Sequence, residues 1–182
     1  MNYHNITKCD MLNGEGLRVV LWVAGCDHHC PGCQNPQTWD CSRGIPFNQS
    51  AENEILDELN RDYIEGITFS GGDPLNDRNL ETVWNLIQTV KQQYPEKNIW
   101  LYTGYTYEQI AERRDINNNI SLNNLTWLRK TIVKNVNVLV DGRYVAAERD
   151  VSLRWKGSKN QRVIDVKKTI NEDTVKLWCP EY

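Results

Sequence analysis

The sequence predicts an α/β fold in which mainly parallel strands form an incomplete β/α barrel or an open sheet. Apolar runs rich in β-branched residues alternate with segments of helical periodicity, as in βαβ units. The chain has 182 residues, whereas a complete eight-unit barrel takes about 250. The sequence contains no evident repeat or linker, so we expect a single domain over residues 1–182.

The first predicted elements surround a cysteine-rich loop at residues 25–41. Residues 17–24 (LRVVLWVA) are almost continuously apolar, which is typical of a strand buried on both faces. Ser50 is a candidate N-cap for a helix that runs to about Arg61 and buries an apolar stripe. Residues 66–70 (GITFS) predict a short buried strand that ends in a Gly-Gly turn.

The alternation of helices and strands continues towards the C-terminus. Apolar residues at helical spacing predict a helix over residues 79–94, followed by a strand at 99–102 and a helix at 107–113. The asparagine-rich residues 115–124 predict a surface loop. The last predicted elements are a helix at 125–133 and strands at 136–140, 162–166 and 175–178.

The composition limits the classes of function. The formal net charge is −3, so the chain lacks the strongly basic balance of a nucleic-acid or anionic-membrane binder. No apolar run reaches the roughly 18–20 residues that span a bilayer, and the first residues do not have the pattern of a secretory signal. These features favour the cytoplasm, where cysteines serve metal binding or catalysis more often than disulfides.

The cysteine loop carries the clearest chemical signal in the sequence. Cys26, Cys30 and Cys33 have the spacing C-x3-C-x2-C directly after a predicted buried strand. Iron–sulfur clusters are held by cysteine thiolates, commonly four for a [4Fe–4S] cluster, so three cysteines would leave one iron open. An open coordination position is the mark of a catalytic metal site. The three cysteines are therefore the candidate metal ligands.

A structural zinc site is the alternative. It would use the same three cysteines together with Cys41, His28 or His29, although the two histidines are more simply loop residues. Zinc sites usually contain two paired knuckles, and the sequence lacks the second pair. The spacing favours iron–sulfur without excluding zinc, and a zinc site would make the chain a binding module. Cys9 and Cys179 are expected to be structural.

Several motifs together resemble one family of enzymes. The cysteine loop resembles that of the radical S-adenosylmethionine superfamily. Residues 13–18 (NGEGLR) and 38–40 (TWD) are similar, more specifically, to the activating enzymes of glycyl-radical enzymes, and above all to the family that activates anaerobic (class III) ribonucleotide reductase. Further similar motifs cover most of the remaining chain except the asparagine-rich loop: 70–75 (SGGDPL), 103–105 (TGY), 140–144 (VDGRY) and 155–162 (WKGSKNQR).

The resemblance implies a fold, a reaction and partners. The fold would be the partial β/α barrel of the radical S-adenosylmethionine type. A reduced [4Fe–4S] cluster would cleave S-adenosylmethionine to methionine and a 5′-deoxyadenosyl radical, which takes a Cα hydrogen from a glycine of the reductase large subunit. A low-potential electron donor such as flavodoxin would be a second partner, with no nucleic acid or membrane involved. No catalytic side chain is expected beyond the cluster and S-adenosylmethionine.

The resemblance also implies contacts for S-adenosylmethionine. The candidates are Gly32, Cys33, Gln34, Ser70, Gly71, Gly72, Asp73, Thr103 and Asp141. Backbone of the first three would lie along the adenine, and the Gly-Gly turn would let backbone bind the methionine part without obstruction. Asp73 would add a charged contact, where many members of the superfamily carry glutamate. Thr103 and Asp141 could reach the ribose or the amino-acid part, but turn chemistry would also explain Asp73, Thr103 and Asp141.

Two other radical enzymes stay open as alternatives at this point. One is an activator of a different glycyl-radical enzyme, and the other is a small-molecule enzyme, such as one that makes a deazapurine. The short chain and residues 155–162 favour the reductase activator. A small-molecule enzyme would turn over its substrate without a partner protein.

Overall fold

A computed structural model describes residues 1–112 and 120–179, with no side-chain description for residues 120–123. Over these residues the strands form one mixed sheet with the spatial order β3-β1-β2-β4-β5-β6-β7. The strands are β1 (Asn2–Asp10), β2 (Arg18–Val23), β3 (Ile45–Pro46), β4 (Gly66–Gly71), β5 (Asn98–Tyr102), β6 (Val138–Asp141) and β7 (Arg162–Asp165). The helices are α1 (Gln49–Leu59), α2 (Leu80–Gln93), α3 (Tyr107–Ala111), α4 (Ile120–Lys134) and α5 (Val166–Glu172).

The middle of the sheet is parallel, which confirms the α/β prediction. Strands β2, β4, β5 and β6 pair in parallel, and helices connect them. Strands β1 and β3 on one side and β7 on the other pair antiparallel with their neighbours. Because β3 and β7 are the two edges of the sheet, the sheet is open.

Two predictions about strands were incomplete or wrong. Strand β1 and the two-residue strand β3 were not predicted. The residues of β1 are mostly polar and only partly buried, so this strand lacks the apolar run of a central strand. Strand β1 forms because it pairs with β2, from Tyr3↔Val23 to Asp10↔Arg18. Residues 175–178, which were predicted as a strand, make only an isolated bridge between Ile164 and Leu177.

The helices also correct the predicted boundaries. Helix α1 is capped by Asn48, whose side chain accepts from the backbone N–H of Ala51 at 3.1 Å, and not by Ser50. Helix α4 begins at Ile120, inside the predicted asparagine-rich loop; residues 115–119 of that loop lie outside the described residues. Helix α5 was not predicted. None of the described helices is both long and apolar enough to cross a bilayer.

The two faces of the sheet bury different side chains. On one face, residues such as Ile99 and Leu101 join the main core with α1, α2 and α4. On the other face, Trp100 is fully buried against the rings of Trp155 and Trp178, at centroid distances of 5.0 and 5.8 Å. Alternation along β5 produces this division. We call the three aromatic residues the tryptophan cluster.

Candidate active site

The predicted site residues lie where the parallel strands end. The cysteine loop follows β2, residues 70–73 form the turn at the end of β4, Thr103 follows β5 and Asp141 ends β6. Because these four strands are parallel, their carboxyl ends meet at one edge of the sheet. Ligands bind at this edge in open α/β sheets. The topology therefore brings the separate motifs to one place.

Backbone hydrogen bonds join the two ends of the cysteine loop. The N–H of Gly25 donates to the carbonyl of Thr38 at 2.7 Å, and the N–H of Cys26 donates to that of Trp39 at 3.0 Å. The ring of Trp39 meets the ring of His29 edge-on, with centroids 4.8 Å apart. The three cysteines thus lie on a loop that is closed by hydrogen bonds.

The three predicted ligands are free, partly buried thiols. The N–H of Cys33 donates to the carbonyl of Cys30 at 3.0 Å, which places these two residues in one turn. Burial raises the pKa of the Cys26 thiol to about 12, and coordination to a metal would remove that proton. Cys41 lies against the loop, because a Cβ on Gly25 would lie 3.1 Å from its Sγ.

The types of side chain in the cysteine loop show which kind of metal centre the loop fits. Among the described residues, no three His, Cys, Asp or Glu side chains are arranged to hold one metal ion. The loop instead offers three thiols, the ligand type of iron–sulfur clusters. The donor set therefore fits such a cluster, and the assignment of Cys26, Cys30 and Cys33 as its ligands stays a prediction.

The turn of residues 70–73, which we call the glycine turn, packs directly on the cysteine loop. The N–H of Gly72 donates to Val23 O at 2.8 Å, and that of Asp73 donates to Gly25 O at 2.7 Å. A Cβ on Gly72 would lie 2.5 Å from Gly25 O. Glycine is thus required here because the backbone of the cysteine loop approaches closely.

Asp73 is the most heavily bonded side chain of the glycine turn. Its carboxylate, 3% exposed, accepts hydrogen bonds from Thr103 Oγ1 at 3.0 Å, from Gly104 N at 3.1 Å and from Leu75 N at 2.8 Å. Nε2 of His28 lies 2.7 Å from the same carboxylate. Both oxygens are engaged within the chain, and contacts of Asp73 and Thr103 with a ligand stay predictions.

His28 is a buried partner of Asp73 that the sequence did not indicate. Its side chain is 7% exposed and meets the ring of Tyr105 edge-on at 4.7 Å. From the sequence it was expected to be a loop residue or, in the alternative, a zinc ligand. Its one sequence signal is its place in the spacer between Cys26 and Cys30, and nothing local in the sequence indicates its distant partner Asp73.

The far end of the cysteine loop rests on residues 142–161. Gly32 has a φ of +73°, and a Cβ on it would lie 3.3 Å from Cβ of Ala146. A Cβ on Gly157 would lie 3.5 Å from Nε2 of Gln34. Both Gly32 and Gln34 are exposed, so this side of the loop is accessible to a ligand, and their contact with adenine stays a prediction.

Asp141 is buried in an ion-pair network. It accepts from Nε of Arg162 at 3.0 Å and from the N–H of Tyr107 at 2.7 Å. Arg162 also binds both carboxylate oxygens of Glu108, at 2.9 and 2.7 Å. The network joins β6, β7 and α3. Both carboxylate oxygens of Asp141 are bonded to these partners within the chain. A contact between Asp141 and a ligand stays a prediction.

Glu108 makes the stability of this network depend on pH. Hydrogen bonds from Arg162 lower the pKa of Glu108 from 4.5 to about 2. A carboxyl with a depressed folded-state pKa stabilises the fold above its ordinary pKa, and this contribution disappears as the pH falls through the folded value. We therefore expect the Tm difference between wild type and Glu108→Gln to shrink as the pH falls from 4.5 towards 2.

Circular dichroism melts over that pH range measure the effect. Because the Glu108 side chain is 44% exposed, the contribution should stay below about 1 kcal/mol. Glu112→Gln is the matched control, an exposed glutamate in the next turn of the chain. A Tm difference for Glu108→Gln that does not change with pH would contradict the assignment.

The stretch of this chain that matches a known protein family contains all the residues of the site. Residues 12–164 match the family described as a 4Fe-4S single cluster domain. The chain is 40% identical over 165 residues to the anaerobic ribonucleoside-triphosphate reductase-activating protein of Enterobacteria phage T4, covering 90% of this chain and 93% of that protein. The protein of the same name from Escherichia coli K12 is 40% identical, with coverage of 90% and 97%. That of Vibrio cholerae is 37% identical, with coverage of 88% and 96%.

Proposed function

Because the chain belongs to the family of anaerobic ribonucleoside-triphosphate reductase-activating proteins, which matches a 4Fe-4S single cluster domain, we propose that it forms a glycyl radical on such a reductase with S-adenosylmethionine. One observation carries the proposal. A loop with three thiols packs on a glycine turn at the ligand-binding edge of the sheet. The family's cluster type favours iron–sulfur over the zinc site that the spacing left open.

The cysteine loop would hold the cluster. Cys26, Cys30 and Cys33 would each bind one iron, and the fourth iron would stay open for S-adenosylmethionine. When bound, the cluster would supply the electron that cleaves S-adenosylmethionine at its S–C5′ bond for hydrogen abstraction from a reductase glycine. The protein binds and orients the reactants and excludes water.

The glycine turn would hold the methionine part. The N–H groups of Gly72 and Asp73 already donate to the backbone around the cysteine loop. We therefore assign the amino group of methionine, which donates, to carbonyl oxygens of Ser70, Gly71 and Gly72. The exposed backbone of Gly32 and Gln34 would line the adenine, beside Cys33.

A protein substrate needs an accessible site. We propose that the open sheet curves as the partial barrel of radical S-adenosylmethionine enzymes, so that a segment of the reductase enters from its uncovered side. A low-potential donor such as flavodoxin would supply the electron, in the cytoplasm. Thr103 and Asp141 would shape the inner end of the site.

The test uses protein purified without oxygen and reconstituted with iron and sulfide. After reduction with dithionite and addition of S-adenosylmethionine, we expect 5′-deoxyadenosine, and with an anaerobic ribonucleoside-triphosphate reductase we expect the electron paramagnetic resonance signal of a glycyl radical. Product without a radical on any reductase would favour a small-molecule enzyme. A colourless protein that holds zinc and forms no product would contradict the proposal.

A further inference from the structure

One buried pair joins the cysteine loop to the glycine turn. Nε2 of His28 and Oδ2 of Asp73 lie 2.7 Å apart, and the two side chains are 7% and 3% exposed. In the tautomer with the proton on Nε2, the imidazole donates this hydrogen bond to the carboxylate of Asp73. A short bond to a charged group, shielded from water, is among the stronger hydrogen bonds in proteins.

The surroundings of His28 hold its ring in one position. The ring of Tyr105 lies edge-on at a centroid distance of 4.7 Å. On another side, a Cβ on Gly104 would lie 2.3 Å from Cδ2 of the imidazole, so the ring fills the space that a side chain there would take. Asp73 is fixed in turn by Thr103 and by the N–H of Gly104. The pair is therefore rigid at both ends.

Within the part of the chain that the structure describes, the other hydrogen bonds from residues 72–79 to β2 and the cysteine loop end at or before Asp27. Asp73 N binds Gly25 O at 2.7 Å, and Nδ2 of Asn79 binds Ala24 O at 2.9 Å. Nδ2 of Asn76 binds Asp27 Oδ2 at 2.8 Å. Among these links, the one from His28 reaches furthest along the loop and stands closest in sequence to Cys30.

We propose that His28 is a positioning residue that, through Asp73, sets the second and third cysteines relative to the glycine turn. Cys30 and Cys33 share one turn, so an anchor just before Cys30 orients both thiols. Asp73 then serves the site by holding the loop. The iron-binding part of this inference rests on these contacts and on the three-cysteine assignment, and its consequence for S-adenosylmethionine rests on the proposed function.

The same substitution at two adjacent histidines tests the proposal. In His28→Asn the amide is too short to reach Asp73, whereas in His28→Gln the amide nitrogen can take the place of Nε2. His29→Asn is the matched control, because His29 lies in the same spacer but contacts Trp39, and asparagine tolerates its φ of +45°. Asp73→Asn is a second disruption that keeps the side-chain shape.

The first readout is retention of iron in the absence of S-adenosylmethionine. Loss of a residue that orients metal ligands costs about 10–100-fold in metal affinity. In competition with a chelator, His28→Asn should therefore bind iron about 10–100-fold more weakly than wild type. His28→Gln and His29→Asn should behave as wild type, and Asp73→Asn should fall between. Circular dichroism before reconstitution shows whether each variant folds. If His28→Asn does not fold, Asp73→Asn decides the question.

The second readout is the change in the spectrum of the reduced cluster when S-adenosylmethionine is added. The KM for S-adenosylmethionine should rise in His28→Asn and recover in His28→Gln. Wild-type iron retention in both His28→Asn and Asp73→Asn would overturn the proposal, as would a His28→Gln variant no better than His28→Asn. If the wild-type protein binds iron but forms no 5′-deoxyadenosine, the proposed function fails while the iron comparison still tests His28.

Discussion

Replacement of Cys30 by serine is expected to abolish both the brown colour of the reconstituted protein and the formation of 5′-deoxyadenosine. A three-thiol site has no spare ligand, and loss of the middle cysteine leaves two thiols of the C-x3-C-x2-C spacing. Iron content, the absorption spectrum and product formation measure the result.

Cys41→Ser is the matched control for this experiment. Cys41 lies on the same loop and is also a partly buried free thiol, and its Sγ is next to Gly25. We expect it to retain iron and activity. If Cys41→Ser lost the cluster as fully as Cys30→Ser, Cys41 would be a ligand and the three-cysteine assignment would be wrong.

Gly71→Ala is expected to lower the stability of the fold and to impair the site. The φ of Gly71 is +98°, and an added Cβ would lie 2.9 Å from backbone atoms of Trp22. Backbone strain at such an angle costs about 1–3 kcal/mol, and overpacking adds about 1–3 kcal/mol. Urea denaturation measures the free energy of unfolding, and the KM for S-adenosylmethionine should rise because the glycine turn is displaced.

Gly142→Ala separates these two causes. Gly142 has almost the same φ, +96°, but an added Cβ there would meet nothing closer than 3.8 Å. We expect only the backbone strain of about 1–3 kcal/mol. Equal losses of stability in the two variants would show that crowding against Trp22 is not important at Gly71.

The sequence contained enough information for the strands that position the site. Strand β2 and strand β4 are buried along almost their whole length, so their apolar runs are visible without an alignment. Strand β1 is different, because its partners form it and its own polar residues do not indicate a strand. Residues 175–178 show the reverse case: their sequence favours a strand, but the segment makes only one isolated β-bridge, between Leu177 and Ile164.

The chemistry of the site was predictable to the extent that it is local in sequence. The spacing of Cys26, Cys30 and Cys33 indicates a metal site without any tertiary information. The partners of Asp73 could not be predicted, because Thr103 and His28 come to it from the ends of other strands. A carboxylate in a Gly-Gly turn has the same sequence pattern whether it binds a ligand or holds a loop.

The sheet order has a consequence for folding kinetics. In the parallel region, β2, β4, β5 and β6 follow each other in space as they do along the chain, so each new strand can add to an existing edge during synthesis. The tryptophan cluster cannot form this way. Trp178 joins it by packing on Trp100, and its Nε1 proton is donated to Glu15 at 2.9 Å, across 163 positions of sequence. Contacts with such long loops form late, so tryptophan fluorescence should mature after the backbone signal during refolding.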